Sequence, residues 1–265
     1  MIYQNINSIP NFIANEYSSK KTKYCLCIPI INEKGKIEKE LERAKKFNID
    51  KIIDIIICDG DSSDGSTNED ILKIFGVNSL LVKKDTGKQG AQLRMGFWWA
   101  LQRGYEGIVT IDGNNKDSIE SVPLFIEKLE QGYDFIQGSR FLKGGKAINT
   151  PLIRHLAVKI IHAPIISLIS KYKFSDTTNA FRGYSKKYLT HNNVLPFRNI
   201  FQGYELLAYL SVRASQLGLK VVEVPVMRVY PKKGKIPTKI SFIKGNFALL
   251  KIIIKLIFNY YNPKK

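Results

Sequence analysis

A run of β-branched residues that stops on a carboxylate is the place in this sequence best suited to chemistry. Ile108, Val109, Thr110 and Ile111 lead into Asp112, Gly113 and Asn114. The run is apolar apart from Thr110 and too short for a helix, so it predicts a strand buried on both faces. A carboxylate at the carboxyl end of such a strand sits at the sheet edge, where open α/β sheets bind ligands. Asp, Gly and Asn are also the residues that turns prefer, and in isolation a plain turn is the stronger reading. Three neighbouring segments change that balance. The run 24–31 ends at Asn32 and Glu33 and contains Pro29, the loop 59–67 crowds Asp59, Asp61 and Asp64 among glycines and hydroxyls, and Gly138 and Ser139 precede Arg140.

The elements that must carry these groups are legible from periodicity. Strands are expected at 24–31, 52–58, 79–83, 108–111, 133–138 and 220–226, and helices at 38–47, 71–75, 89–103, 119–130 and 204–217. Strands alternating with helices at this spacing imply right-handed crossovers and a mainly parallel sheet with helices on both faces. Pro29 cannot donate to a ladder, so it is expected where its strand leaves the sheet. A mostly apolar segment of helical length, 152–173, is interrupted by Pro164. In the final segment, 242–261, Lys244, Lys251 and Lys255 are spaced seven and four apart, on one face of a helix. That pattern suits an interfacial helix on an anionic membrane, with an amphipathic helix packed on its own domain as the alternative.

Composition narrows the class. The 265 residues are 44% hydrophobic and 24% charged, as in a folded globular protein. An excess of 41 Lys and Arg over 23 Asp and Glu gives a net charge of +18, which implies an anionic partner. The basic residues are dispersed, without an aromatic-interleaved platform or a helix-turn-helix pattern, so nucleic acid is not the expected partner. Cys25, Cys27 and Cys58 cannot build a disulfide framework, and His155, His162 and His191 lack zinc-finger spacing. Buried thiols in a reducing compartment are expected. Residues 1–22 form a polar leader without an apolar signal core, and nothing suggests export.

Together the strand-end segments resemble the family 2 glycosyltransferases, with their IPxxNE start, DDGSxDGT loop and DxD metal site. The resemblance covers 23–245 and is strongest to the dolichol-phosphate mannose synthase type of polyprenyl-phosphate sugar transferase. That narrower likeness rests on 138–141, 176–183, 202–205 and 222–226. It implies a GT-A fold over 23–240, with 241–265 as an amphipathic, membrane-interfacial helix. It places the nucleotide of a GDP- or UDP-linked sugar against Pro29, Asn32, Glu33, Asp59, Asp61 and Gly113, and sets Arg94 to neutralise the diphosphate. Asp112 and Asn114 would hold Mg2+ or Mn2+, with reduced affinity because an amide replaces the second acid and Lys116 stands nearby; Asp117 could take the missing ligand's place.

The same likeness implies an inverting transfer to a polyprenyl phosphate, at the cytoplasmic face of a membrane to which the protein binds peripherally. An ionised phosphate needs no general base, because its second pKa is about 6. It needs cations, and Arg140, Arg182, Lys232 and Lys233 stand in the matching segments. Two alternatives remain open at this stage. Glu205 could act as base toward a saccharide hydroxyl, or the chain could be a non-catalytic nucleotide-binding module.

Overall fold

The computed structural model describes residues 8–231 and 242–264. Its strands are β1 (Phe12–Glu16), β2 (Tyr24–Ile30), β3 (Asp54–Asp59), β4 (Val77–Lys83), β5 (Gly107–Thr110), β6 (Phe135–Ser139), β7 (Lys146–Ile148), β8 (Arg182–Ser185), β9 (Val221–Pro225) and β10 (Met227–Val229). Eight of them form one sheet in the order β1-β4-β3-β2-β5-β8-β6-β9, while β7 and β10 pair in parallel beside it.

The period-two alternation of each central strand divides the core into two layers. Cys25 and Cys27 of β2, with Ile56 and Cys58 of β3, pack on one side against Leu93 and Phe97 of the helix Gln89–Gln102. Leu26, Ile28 and Ile30, with Ile55 and Ile57, pack on the other against Ile37 and Leu41. All three cysteines are free and buried, as expected.

Neighbours β4, β3, β2 and β5 run parallel, and β6 runs parallel to β9. Strand β2 lies between β3 and β5, so the chain order reverses there. A crevice opens at the carboxyl ends of the strands at such a point. Asn32 and Glu33 follow β2, Asp59 ends β3 and Asp112 follows β5, so topology alone brings the three motifs to one edge.

Pro29 lies within β2, opposite Cys58. The Ile111 amide donates to the Cys27 carbonyl, while the Gly60 amide donates to the Ile30 carbonyl on the other side. By that alternation Pro29 faces the β5 side, where pairing has already ended at Cys27. Its missing N–H costs no ladder bond.

Besides the unforeseen pair β7 and β10, three features differ from the sequence expectation. The leader contributes β1, which pairs antiparallel with β4 and covers that edge of the sheet, so the fold begins before residue 23. Strand β8 enters antiparallel between β5 and β6; four residues are too few to show periodicity. The helix Leu152–Ser170 continues past Pro164, preceded by a π-helical stretch, Ala157–His162. A proline removes an amide and clashes with the carbonyl four residues before it, and a widened turn absorbs both.

That helix has mean hydropathy 1.6 and is long and apolar enough to cross a membrane by length and composition, with 17% of the stretch buried. The last helix, Phe242–Ile257, inserts Ile253 and Leu256 into the domain and leaves Phe247, Leu250, Ile254 and Ile257 exposed. One face of this helix therefore packs on its own domain while the other exposes apolar side chains. Lys251 and Lys255 line a 430 Å3 cavity against Glu205, Tyr260 and Tyr261. The Lys244 side chain lies outside the described residues.

Candidate active site

The first wall of the crevice is a loop that folds around its own carboxylates. Asp59 is buried, and its Oδ2 accepts from the amides of Asp61 (2.9 Å) and Ser62 (2.8 Å) while Oδ1 accepts from Ser62 Oγ at 2.5 Å. Asn32, at φ 49°, donates its amide to Ser62 Oγ and accepts from the Ser63 amide at 2.9 Å. Asp64 Oδ2 takes the Lys34 amide at 2.8 Å. The two segments named from sequence thus tie each other into one surface. Asp59 supports that surface from beneath, since a carboxylate has about four lone-pair sites and three are filled within the loop. Asp61 stands at its exposed rim, paired with Lys84 at 2.8 Å, and Glu33 pairs with Lys36 at 2.5 Å.

The second wall is Asp112 and what holds it. Gly113 is required by close packing, because a Cβ there would lie 2.4 Å from Ile30 Cγ2. Asp112 Oδ1 accepts from Gln89 Nε2 at 3.0 Å, and Oδ2 from Arg228 Nη2 at 3.2 Å and Asn114 Nδ2 at 3.4 Å. Gln89 opens the helix Gln89–Gln102, whose start is pressed onto the 202–205 loop: a Cβ on Gly90 would meet the Gly203 carbonyl at 2.5 Å.

Arg228 is the residue that motif reading missed. From β10 it bridges Asp112 and the fully buried Asp117, to which Nη1 donates. Burial pulls the Arg228 pKa down, but Asp117 and Asp112 outweigh it and leave it raised. Burial also pushes Asp117 up to about 6, against the pull of Arg228. Lys116 Nζ, Arg228 Cζ and Arg154 Cζ lie 5.4, 5.6 and 5.7 Å from the centroid of the Tyr230 ring, and Arg154 Nη1 donates to the Tyr230 hydroxyl at 3.0 Å. Against burial, Arg228 and Arg154 lower the Tyr230 pKa. Burial and Arg228 together lower that of Lys116. Neither Arg228 nor Arg154 stands in the segments on which the resemblance rests; Arg228 opens a basic stretch, and Arg154 lies in the apolar segment 152–173.

Four of the expected cations or bases have other duties. Arg94 is buried, and its Nη atoms bond the Ser8 and Phe197 carbonyls and Asn199 Oδ1 instead of facing a diphosphate. Arg140 forms a buried two-pronged pair with Asp176, Nε to Oδ2 at 2.6 Å and Nη2 to Oδ1 at 2.9 Å, and adds Thr178 Oγ1 at 2.7 Å. Arg182 directs its guanidinium to the carbonyls of Asn179, Leu207 and Thr177. These arginines brace the loops behind the crevice, and none presents a guanidinium for a phosphate. Glu205 Oε1 accepts from the amides of Gln202 and Gly203 (2.6 Å), closing its own loop. Lys232 and Lys233 lie outside the described residues.

The oxygen atoms around Asp112 fit a weakly held hard cation. Asn114 Oδ1 and Gln89 Oε1 are buried without a hydrogen-bond partner among the described residues, and the amides that carry them touch Asp112. One carboxylate with neutral oxygens, completed by water, is a donor set that Mg2+ accepts. Among the described residues there is no cluster of three or more His, Cys, Asp or Glu side chains able to act as a cage.

Glu40 lies under this turn, accepting the Asn115 amide on Oε2 at 2.8 Å. Burial raises its carboxyl well above the usual range, and Asp117 and Asp112 add to the shift. An acid with a raised folded-state pKa contributes stability that is fully present below its unfolded pKa of about 4.3 and lost as pH rises toward the folded value. Glu40→Gln keeps an oxygen for the Asn115 amide and cannot ionise. It is expected to melt above the parent protein by a margin that widens between about pH 5 and about pH 8. A margin independent of pH would show that Glu40 is already ionised in the fold.

Comparison with known proteins gives the family and the fold. The model of the family described as glycosyl transferase family 2 matches residues 25–192. The chain is 26% identical to the undecaprenyl-phosphate mannosyltransferase of Micrococcus luteus over 69% of its length and 74% of that protein. It is 28% identical to the polyprenol monophosphomannose synthase of Mycolicibacterium smegmatis over 66% of each. The chain thus spans about two thirds to three quarters of these relatives. The glucosyl-3-phosphoglycerate synthase of Mycobacterium tuberculosis, solved with Mn2+, UDP and phosphoglyceric acid, superposes with TM-score 0.63 at 15% identity, over 91% of this chain and 79% of that one. The likeness is one of fold, and the fold is GT-A.

Proposed function

Because the chain belongs to glycosyl transferase family 2, and is therefore a nucleotide-sugar-dependent glycosyltransferase, we propose that it transfers a sugar with inversion to a polyprenyl phosphate at a membrane surface. The observation that carries this reading is the convergence of Lys116, Arg154 and Arg228 on Tyr230 beside Asp112. Such a cluster suits two successive anions, a leaving diphosphate and an incoming phosphate monoester. The names of the two relatives point to the same acceptor class.

A phosphate acceptor oxygen is already ionised near neutral pH, so the reaction asks for positioning and charge and not for proton removal. The 32–34 and 59–64 surfaces would seat the nucleoside of a GDP- or UDP-linked sugar, with Asp61 at the rim. Asp112 and Asn114 would hold a divalent ion, which when bound supplies positive charge to the departing diphosphate. Arg154 and Lys116 would draw the acceptor phosphate to the far side of the sugar carbon, in place of Arg140 and Arg182.

The exposed apolar residues support a membrane as the meeting place. Leu152, Ile153, Ile160 and Leu168 on one helix and Phe247, Leu250, Ile254, Ile257 and Phe258 on or just after the other are exposed, and exposed apolar side chains of this size suit burial in lipid. Arg154 and Lys159 lie among them, as an interfacial surface on anionic lipid requires. Three free thiols suit the reducing, cytoplasmic side.

The test is incubation with radiolabelled GDP- and UDP-sugars and undecaprenyl or dolichyl phosphate in anionic vesicles. A charged lipid-linked sugar is expected, and Glu205→Gln, which retains an oxygen for the Gln202 and Gly203 amides, should keep turnover within about threefold. Transfer to free glycans alone, abolished by Glu205→Gln, would establish the saccharide-extending reading instead.

A further inference from the structure

Arg228 occupies the side of Asp112 from which a divalent ion would also draw its charge. Its guanidinium joins Asp112 Oδ2 at 3.2 Å to Asp117 Oδ2, and side-chain exposures of 10% for Arg228 and 0% for Asp117 make this a largely desolvated arrangement. The strand that carries Arg228 is locked in register: the Ser118 amide donates to the Met227 carbonyl at 2.9 Å, and the Val229 amide to the Lys116 carbonyl at 2.8 Å. The head group therefore has little freedom to retreat along the chain. Glu40 is engaged by the Asn115 amide, and Arg43 is occupied by Asn115, the Asp117 carbonyl and Glu120. Two carboxylates thus share one arginine, with Lys116 adding a second positive charge beside them.

We propose that Arg228 is the resident cation of the Asp112 and Asp117 pair, so that a divalent ion gains Asp112 only when the Arg228 guanidinium lets go of it. The inference rests on Asp112 being the metal carboxylate of the reading above. Its consequence is an order of events. In the free enzyme, metal and arginine compete for Asp112 Oδ2, and like charge keeps the metal out. A nucleoside diphosphate brings new anionic oxygens, which accept Arg228 and Lys116 and release Asp112 to the ion. Metal and nucleotide should then bind with strong mutual dependence, each raising the affinity of the other by the same factor. The substitution of Asn for the second acid fits this arrangement, because the charge that a second carboxylate would neutralise is already supplied by the protein.

The test measures binding and not turnover. Mn2+ is titrated by electron paramagnetic resonance into the 265-residue protein and its Arg228→Gln variant, each with and without UDP or GDP. Without nucleotide, Arg228→Gln is expected to bind Mn2+ about tenfold or more tightly than the parent, and adding nucleotide should narrow that gap. Equal or weaker Mn2+ binding by Arg228→Gln in the absence of nucleotide, with nucleotide-dependent binding intact in the parent, overturns the inference and leaves the metal reading standing. Failure of both proteins to bind Mn2+ with either nucleotide overturns the metal reading and the inference with it.

Should Arg228→Gln not fold with Asp117 left buried and unpaired, the parent protein decides. Its Arg228 guanidinium nitrogen signals, assigned by their absence in Arg228→Lys, are followed by 15N NMR as Mg2+ is added. Movement in step with metal binding supports displacement, and saturation with Mg2+ while those signals stay in place refutes it.

Discussion

Asp112→Asn is expected to lower kcat/KM for sugar transfer by at least about 10²-fold while leaving the melting temperature within a degree or two. The substitution keeps the shape of the side chain, and its amide oxygen can still accept from Gln89 Nε2. Gly113 still fits beneath Ile30, and Arg228 retains Asp117 as a counter-charge. What disappears is one negative charge at the carboxyl end of β5, the point where cation and diphosphate must meet. Its loss weakens the hold on any divalent ion and leaves Arg228 and Lys116 with one anion fewer to orient them. The effect belongs to the transition state, in which charge develops on the leaving diphosphate, so it should appear in turnover and not only in donor affinity. An Asp112→Asn protein with undiminished transfer would remove Asp112 from the site and with it the metal assignment.

The parts of this architecture that were legible in the sequence are those encoded locally. Strand β5 and its terminal aspartate, the reciprocal 32–34 and 59–64 segments and the helix Gln89–Gln102 each announce themselves within a few residues. Elements defined by pairing across the chain do not. β8 is four residues long and takes its place only because β5 and β6 leave a gap for it, and β1 forms because β4 offers an edge. The same limit explains the arginines. A motif shows that an arginine stands at a strand end, but whether its donors are free depends on partners far off in sequence. Arg140 and Asp176 are 36 residues apart, and Arg228 and Asp117 are 111 apart. Local reading thus selected Arg140 and Arg182, which face inward, and passed over Arg228 and Arg154, which face Tyr230. Residue type marked the segments that carry positive charge, and only the fold shows which side chains turn inward and which face Tyr230.

The inward role of Arg140 leads to the largest stability effect expected in this protein. Arg140→Ala should destabilise it by about 3–5 kcal/mol, because Asp176 would remain buried with its charge uncompensated. For a domain of this size that corresponds to a fall in melting temperature of roughly 6–20 °C. Burial tends to lower the Arg140 pKa, but its bonds to Asp176 outweigh that and hold the guanidinium charged. The pair is embedded further, since Glu223 accepts the Ser175 amide at 2.8 Å and the Asp176 amide at 3.1 Å and so fastens this loop to β9. Losing the pair should loosen 175–178 and, through Thr177 and Asn179, the carbonyls that hold Arg182. The double replacement Arg140→Met with Asp176→Leu removes both charges and keeps the volume, so it should recover most of the lost stability. Thermal denaturation of the three proteins distinguishes this from an acceptor-binding role. If Arg140 instead engaged the lipid phosphate, Arg140→Ala would melt near the parent temperature and raise KM for the polyprenyl phosphate, and the double replacement would not restore that KM.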